Sequence, residues 1–198
     1  MSEFSTFVDL GFHHIVDPRA FDHLLFIITL CAVYQVQEWR KILILITAFT
    51  IGHSATLVLS GLQVLSVPSD LVELLIPLSI VATSIYNVAA KGETAHFTTF
   101  AKSVRWNYAI ALLFGLIHGM GFANYFRSLM GEEGGFVWPL FSFNVGIEVG
   151  QLLIVACFFG LHYLLHRILG FKHRSWNQYV SGIGGGGAMV LIMQNLFA

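Results

Sequence analysis

The sequence predicts an all-α, polytopic membrane protein of about six transmembrane helices, and three observations carry this prediction. Of its 198 residues, 56% are hydrophobic and only 11% are charged, whereas a soluble domain carries about 25% charged residues. Six apolar runs approach the length of about 20 residues that crosses a bilayer as a helix. Basic residues are concentrated in alternate loops between these runs, which is typical of a polytopic membrane protein.

The apolar runs predict spans at Phe21–Val36, Ile42–Leu62, Leu71–Ala90, Tyr108–Phe122, Pro139–His162 and Tyr179–Phe197. The first and fourth are short, so we expect them to be tilted or extended by flanking residues. Together they predict a single transmembrane domain over residues 1–198. Residues 1–20 precede the first span and predict an extracytoplasmic interfacial segment whose apolar side carries Phe4, Phe7, Val8 and Phe12.

Two glycine-rich segments have different predicted roles. Residues 131–137 predict a loop before the fifth span. Residues 184–187 lie inside the last span, where glycines permit close helix approach or a local break.

The distribution of charge predicts the orientation. Eight of the ten basic residues follow the first, third and fifth spans: Arg40, Lys41, Lys91, Lys102, Arg105, Arg167, Lys172 and Arg174. Only Arg19 and Arg127 fall on the other side. Because basic loops stay in the cytoplasm, both termini are predicted to lie outside it. The net charge of −1 argues against a nucleic-acid partner, whereas membrane lipids and further copies of the chain remain candidate partners.

Ionisable residues interrupt several spans at one predicted depth. His53 lies 12 residues after Lys41, and His118 lies 12 residues after Trp106, which places both about 18 Å from the cytoplasmic end. Asp22 and His23 begin the first span at its outer end. Because ionisable groups inside a membrane are costly and usually functional, we expect one shared site in the outer half of the bundle.

The residue types at this site favour a divalent transition metal. Imidazole and carboxylate groups are ligands for Ni²⁺, Co²⁺ and Zn²⁺, and the predicted ligands are His14, Asp22, His23, His53, His118 and Glu148. Asn144, Glu148 and Gln151 recur on one helix face, where Asn144 and Gln151 would support the ligands. In the structural alternative, Asp22 caps its helix and the histidines form packing hydrogen bonds. Pro18 predicts that His14 and Asp22 lie on separate helices.

Four motifs resemble those of the HupE/UreJ family of bacterial membrane proteins. They are Gly11-Phe-His-His-Ile, Phe21-Asp-His-Leu-Leu-Phe26, Ala48-Phe-Thr-Ile-Gly-His-Ser-Ala-Thr-Leu57 and Phe114-Gly-Leu-Ile-His-Gly-Met-Gly-Phe-Ala123. The resemblance covers nearly the whole chain. It implies a hydrogenase or urease accessory protein in the bacterial inner membrane, involved in nickel or cobalt movement. Metalloenzyme maturation proteins would then be partners, and His14, Asp22, His23, His53 and His118 would be the metal-associated residues.

The leading hypothesis is a permease that binds the ion in its outer half and conducts it inward. His14 and Asp22 would capture the ion, His23, His53 and His118 would hold it, and Glu148 and Asn144 would tune or relay it.

Two alternatives remain open at this point. The first is an intramembrane metal-dependent hydrolase or acyl-transfer enzyme that acts on a lipid or lipoprotein, in which metal-bound water attacks an amide or ester. Glu148 and Ser54 are its candidate catalytic residues. The second is a metal sensor or assembly factor without turnover. An acyl-sized groove that ends at the metal would favour the enzyme, and a polar channel continuing past His53 would favour the permease.

Overall fold

The computed structural model describes residues 2–18, 21–65, 67–89, 100–130 and 137–197, and the regular structure in these ranges is helical. Seven α-helices follow one another, with a short 3₁₀ helix at Val36–Glu38 between the second and third. They are α1 (Glu3–Val16), α2 (Phe21–Cys31), α3 (Trp39–Gly61), α4 (Ser69–Ala89), α5 (Phe100–Met130), α6 (Val137–Leu169) and α7 (His173–Phe197). The all-α class is therefore confirmed.

Among the described residues, four segments are long and apolar enough to cross a membrane: Val36–Gly61, which contains α3, together with α4, α6 and α7. The other two predicted spans correspond to shorter apolar stretches, α2 and residues Tyr108–Ala123 of α5. These are the first and fourth runs, which the sequence also predicts to be short. The orientation, the single domain and the interfacial position of residues 1–20 stay predictions. The predicted loop at 131–137 lies outside the described residues except for Val137, where α6 begins.

Helices α3 and α5 pack side by side through glycines. A methyl group on Gly52 would collide with the Leu112 carbonyl, and one on Gly115 would collide with the Phe49 carbonyl. The Thr56 hydroxyl adds an interhelical contact, 2.9 Å from the Leu116 carbonyl oxygen. Such close backbone approach is the packing mode that small residues allow between membrane helices. It brings His53 of α3 and His118 of α5 to neighbouring positions.

Helix α1 packs along the first half of α6 in the same direction. Gly11 touches the Phe143 backbone, and Gly146 touches the Val8 backbone. The helix ends at Val16, just before Pro18, and α2 begins at Phe21. His14 and Asp22 therefore lie on separate helices, as Pro18 predicts.

Helix α2 packs against the pair α4 and α7. Thr29 meets Gly184, and Leu25 meets Gly187, so the glycines of α7 serve close approach within a continuous helix. The Asn87 side-chain amide of α4 donates a hydrogen bond of 2.6 Å to the Thr29 carbonyl oxygen. These contacts fix the level of the first turn of α2 beside α5.

Candidate metal centre

Five side chains from four helices converge in the interior and form two overlapping triads. The nitrogens of His14, His23 and His53 lie within 4.8 Å of one another, and so do the ligand atoms of Asp22, His23 and His118. His23 belongs to both triads. We refer to these five residues as the central cluster. The sequence places four of its members at one depth, and the structure brings them, with His14, into contact.

Each member is positioned by a local feature of its helix. His14 lies in the last turn of α1, and Asp22 and His23 lie in the first turn of α2. His53 and His118 lie where α3 and α5 approach most closely, since a methyl group on Gly119 would lie 2.6 Å from the His53 carbonyl oxygen. Two helix ends and two glycine-packed helix middles therefore build the centre.

The Asp22 carboxylate fixes the orientation of His23. Its Oδ1 atom accepts a hydrogen bond from the His23 backbone N–H at 2.9 Å and lies 3.0 Å from Nδ1 of the same residue. The other carboxylate oxygen, Oδ2, lies 3.9 Å from Nε2 of His118. The ring centroid of His23 is 4.7 Å from that of His14 and 4.7 Å from that of His118.

Several imidazole nitrogens of the cluster are buried without a hydrogen-bond partner in the described part of the chain. They are Nε2 of His14 and His23 and both ring nitrogens of His53 and His118. A buried polar atom without a partner is costly and rare in native structures. A bound cation would accept the one lone pair that each neutral ring carries, and imidazoles with a carboxylate suit Ni²⁺, Co²⁺ or Zn²⁺. The residues present therefore fit a transition metal.

Burial favours the neutral form that a metal ligand needs. His53 is fully buried, and 2% of His118 and 5% of His23 are exposed. Burial lowers the pKa of His14 well below its usual value, and the neighbouring His23, His53 and His118 lower this pKa further. The His14 lone pair is thus available at neutral pH.

The remaining predicted site residues lie outside the two triads. Glu148 lies outside both triads, and its carboxylate accepts a hydrogen bond of 2.8 Å from the Thr47 hydroxyl. The Gln151 side-chain oxygen accepts one of 3.1 Å from Thr50. The Ser54 hydroxyl donates to the Thr50 carbonyl of its own helix at 2.6 Å. Asn144 has a buried side-chain oxygen without a partner in the described part of the chain.

Three phenylalanine rings, which we call the aromatic floor, contact the cluster: Phe26, Phe49 and Phe114. Phe26 and Phe114 are stacked with centroids 3.7 Å apart. All three rings lie within 5.8 Å of the His118 ring, centroid to centroid. The floor closes one side of the centre with apolar surface.

Two cavities adjoin this region. An outer cavity of about 230 Å³ has polar groups in its wall and is lined by Phe21, Asp22, Glu73, Ile76, Pro77, Leu191 and Asn195. An apolar cavity of about 310 Å³ lies between α2, α4 and α5, and Phe114 is part of its lining. Asp22 belongs to the central cluster and also lines the outer cavity, whereas Phe114 is the floor residue among the described residues that line the apolar cavity.

A polar network between α2, α4 and α7 was not predicted from the sequence. Asn87 donates to the Thr29 carbonyl and lies 3.3 Å from the Ser181 hydroxyl, which in turn donates to Asn177 at 3.0 Å. The hydroxyls of Thr29 and Ser84 are buried beside it without a partner in the described residues. Polar residues in apolar helices were the available signal, but the pairing of α2 with α4 and α7 could not be derived from them.

Fold and site together define a polytopic α-helical membrane protein with a buried histidine–aspartate cluster. The family model of the HupE/UreJ proteins matches residues 1–197, so the chain belongs to the HupE/UreJ family. This family relates to nickel and cobalt handling, which makes the chain a metal-related membrane protein. No curated protein and no solved structure matches significantly.

Proposed function

We propose that the chain binds a divalent transition metal ion, nickel, cobalt or zinc, at the central cluster and conducts it across the membrane. The observation that carries this proposal is the convergence of three buried imidazoles, one half-buried imidazole and one carboxylate from four helices. Buried ionisable residues in a membrane bundle typically mark an ion pathway or a metal site. Membership in a family associated with nickel and cobalt supports the same conclusion.

The outer cavity is the proposed entrance. Asp22 and Glu73 both line it, so two carboxylates attract a cation to the opening before it meets an imidazole. From there His14, His23 and His53 would hold the ion, with Asp22 and His118 beside them. Transit would then require movement of the aromatic floor, because Phe114 contacts the His118 ring and lines the apolar cavity.

The apolar cavity does not have the features that lipid hydrolysis requires. An intramembrane hydrolase needs an acyl-sized groove that ends at the metal, but the apolar cavity has no histidine or carboxylate among its described lining residues. Ser54, the candidate nucleophile, donates its hydroxyl to Thr50 of its own helix. If the floor does not open, the polar network of Thr29, Asn87, Asn177 and Ser181 is the alternative route for the ion.

The proposed setting is the bacterial inner membrane, with both termini outside the cytoplasm. Arg40 and Lys41 begin α3, while Arg167 lies in the last turn of α6 and Arg174 in the first turn of α7, and such basic ends remain cytoplasmic. The ion would be released on that side, where maturation proteins for metalloenzymes would receive it. A homo-oligomeric assembly stays a prediction.

Reconstitution of the tag-free protein in liposomes tests this function. We expect the wild type to admit external Ni²⁺ to an enclosed Ni²⁺-sensitive dye. The double variant His53→Ala/His118→Ala should reduce entry to the level of empty liposomes, because it removes two of the four imidazoles.

The matched control is His13→Ala, since the His13 side chain is exposed and bonds its own helix at the Asp9 carbonyl. This variant should conduct like the wild type. Absence of flux in wild-type liposomes, with Ni²⁺ binding intact, would refute transport and leave a binding role.

A further inference from the structure

A second group of histidines lies towards the end of α6, far from the central cluster. The His162 ring centroid lies 6.4 Å from that of His166 and 5.8 Å from that of His173. His162 also stacks on Trp176 at 5.0 Å. The three histidines line a cavity of about 240 Å³ together with Gln35, Val36, Gln37, Phe159 and Tyr163. We refer to His162, His166 and His173 as the distal cluster.

The tautomers of two distal histidines are set by backbone carbonyls. Nε2 of His173 lies 3.3 Å from the Val33 carbonyl oxygen, and Nδ1 of His166 lies 2.7 Å from the Phe171 carbonyl oxygen. Because a carbonyl only accepts, these nitrogens donate, and the opposite nitrogen of each neutral ring keeps its lone pair. Donation of one ring N–H to a backbone carbonyl is how metal-ligating histidines are generally oriented.

Two ring nitrogens of the distal cluster lack a protein partner. Nδ1 of His173 and Nε2 of His162 are both buried without a hydrogen-bond partner in the described part of the chain. Packing alone does not explain two such atoms at the wall of one cavity, because each costs free energy unless something accepts or donates there. The cavity volume exceeds what a hydrated cation needs.

The distances between the ring centroids are about 1 Å longer than those expected for imidazoles that bind one metal ion. With a metal–nitrogen bond of about 2.0–2.1 Å and tetrahedral angles, the centroids of two ligating imidazoles lie roughly 5 Å apart. The observed separations of 5.8 and 6.4 Å exceed this value by about 1 Å. The distal nitrogens do not form a triad within 4.8 Å, as those of the central cluster do, so ligation of one ion would require rotation of these side chains.

The electrostatic setting differs from that of the central cluster. No carboxylate is among the described residues that line the distal cavity. The Arg167 guanidinium lies 3.5 Å from the hydroxyl of Tyr163, which is part of the lining, so a fixed positive charge lies at the rim. Binding by neutral imidazoles alone, beside a cation, is weaker than binding at a site that contains Asp22.

We propose that His162, His166 and His173 form a second, weaker site for a divalent transition metal. His162 follows Phe143, which contacts the His53 ring, by 19 residues of the same helix, or about 28 Å. This distance is close to the thickness of a bilayer core, so the two clusters lie near opposite membrane faces. The distal site holds an ion that has crossed the membrane before its release; this role rests on the proposed function, whereas the binding itself does not.

Metal stoichiometry in detergent tests the inference. Tag-free protein is titrated with NiCl₂ in a calorimeter, as wild type and as the variants His53→Ala/His118→Ala and His162→Ala/His173→Ala. We expect two equivalents of Ni²⁺ for the wild type, one tight and one at least tenfold weaker. The first variant should keep only the weak equivalent, and the second only the tight one. His13→Ala, as a matched control, should bind two.

The outcomes separate the two proposals. If His162→Ala/His173→Ala binds Ni²⁺ like the wild type, the distal site is refuted while the central one stands. If the wild type has only the weak equivalent, and His162→Ala/His173→Ala abolishes it, the central site fails and the distal site stands. Anomalous diffraction from wild-type crystals soaked in NiCl₂ needs no variant. An anomalous peak among the three distal histidines supports the inference. A peak at the central cluster without one at the distal histidines overturns it.

Discussion

Asp22 and His23, neighbours in the sequence, act as one unit because the carboxylate of the first orients the imidazole of the second. A single oxygen, Oδ1, lies 3.0 Å from Nδ1 of His23 and accepts the backbone N–H of the same residue at 2.9 Å. An ionised carboxylate only accepts, so Nδ1 donates and Nε2 keeps the lone pair. That Nε2 is buried without a partner in the described residues. Adjacent helical residues point about 100° apart, and this hydrogen bond lets both serve one centre.

Replacement Asp22→Asn should weaken Ni²⁺ binding about 10–100-fold, the usual cost of removing a group that orients a metal-ligating histidine. Asparagine keeps the size of the side chain but removes its charge and can present an amide N–H to the imidazole. The dissociation constant is measured by calorimetry on the detergent-solubilised protein.

The control for this substitution is Asp9→Asn, since Asp9 is exposed and contacts His13 on the surface of α1. It should leave the affinity unchanged. Equal affinity of Asp22→Asn and the wild type would show that the carboxylate has no part in binding.

Glu148 provides a second test, because the sequence predicts it as a ligand and its observed contact is elsewhere. Its carboxylate accepts from the Thr47 hydroxyl, and it belongs to neither triad. Glu148→Gln keeps an acceptor oxygen for Thr47. We therefore expect a Ni²⁺ dissociation constant within about twofold of the wild type, measured alongside Asp22→Asn. A loss as large as that of Asp22→Asn would place Glu148 among the ligands.

The sequence predicts the depth of the metal centre in the bundle better than it predicts which residues belong to the centre. His53 and His118 each follow a predicted cytoplasmic boundary by 12 residues, and helical rise alone places them at one height. Their convergence on the cluster depends on the parallel packing of α3 and α5, for which Gly52 and Gly115 were a visible signal. Rotation about the helix axis, which directs Glu148 towards Thr47, is not fixed by a count of residues.

The distal cluster and the polar network were missed for a related reason. The sequence gives no signal that His162, His166 and His173 come together, since His162 ends the predicted fifth span and the other two follow it. They come together because α6 and α7 are joined by a short connection, between Leu169 and His173. In the same way, Asn87 meets Thr29 and Ser181 only once α2 packs against the pair α4 and α7. Helix pairing is a tertiary property that hydropathy does not encode.

Glycine-mediated packing of α3 on α5 predicts that two Gly→Ala substitutions, one in this contact and one outside it, change stability differently. Gly115→Ala would direct its methyl group into the Phe49 backbone carbonyl, so α3 and α5 must separate. We expect a destabilisation of about 1–3 kcal/mol, the usual cost of overpacking, together with weaker Ni²⁺ binding because His53 and His118 move apart. Thermal unfolding in detergent and calorimetry measure the two effects.

The matched control is Gly186→Ala in α7, where no atom of the described residues lies within 4 Å of the added methyl group. Alanine is the better helix former by about 1 kcal/mol, so this variant should be as stable as the wild type or more so. Equal behaviour of the two variants would argue against close packing of α3 on α5.

The aromatic floor predicts how the rate of transport is controlled. Phe114 lies between His118, at a centroid distance of 5.1 Å, and the apolar cavity of about 310 Å³. Phe114→Ala removes the ring that separates them, so Ni²⁺ entry into proteoliposomes should become several times faster at saturating external Ni²⁺, while calorimetric affinity stays near that of the wild type.

The substitution Phe114→Ala also creates a void that costs about 3–5 kcal/mol, so the assay requires a control with a similar packing defect. Leu57→Ala provides one, because Leu57 is equally buried on α3 and lies eight residues beyond Phe49, or about 12 Å along the helix. If Phe114→Ala conducts no faster than Leu57→Ala, the floor is only a packing element and the ion takes another route, for which the polar network of Thr29, Asn87, Asn177 and Ser181 is the available path.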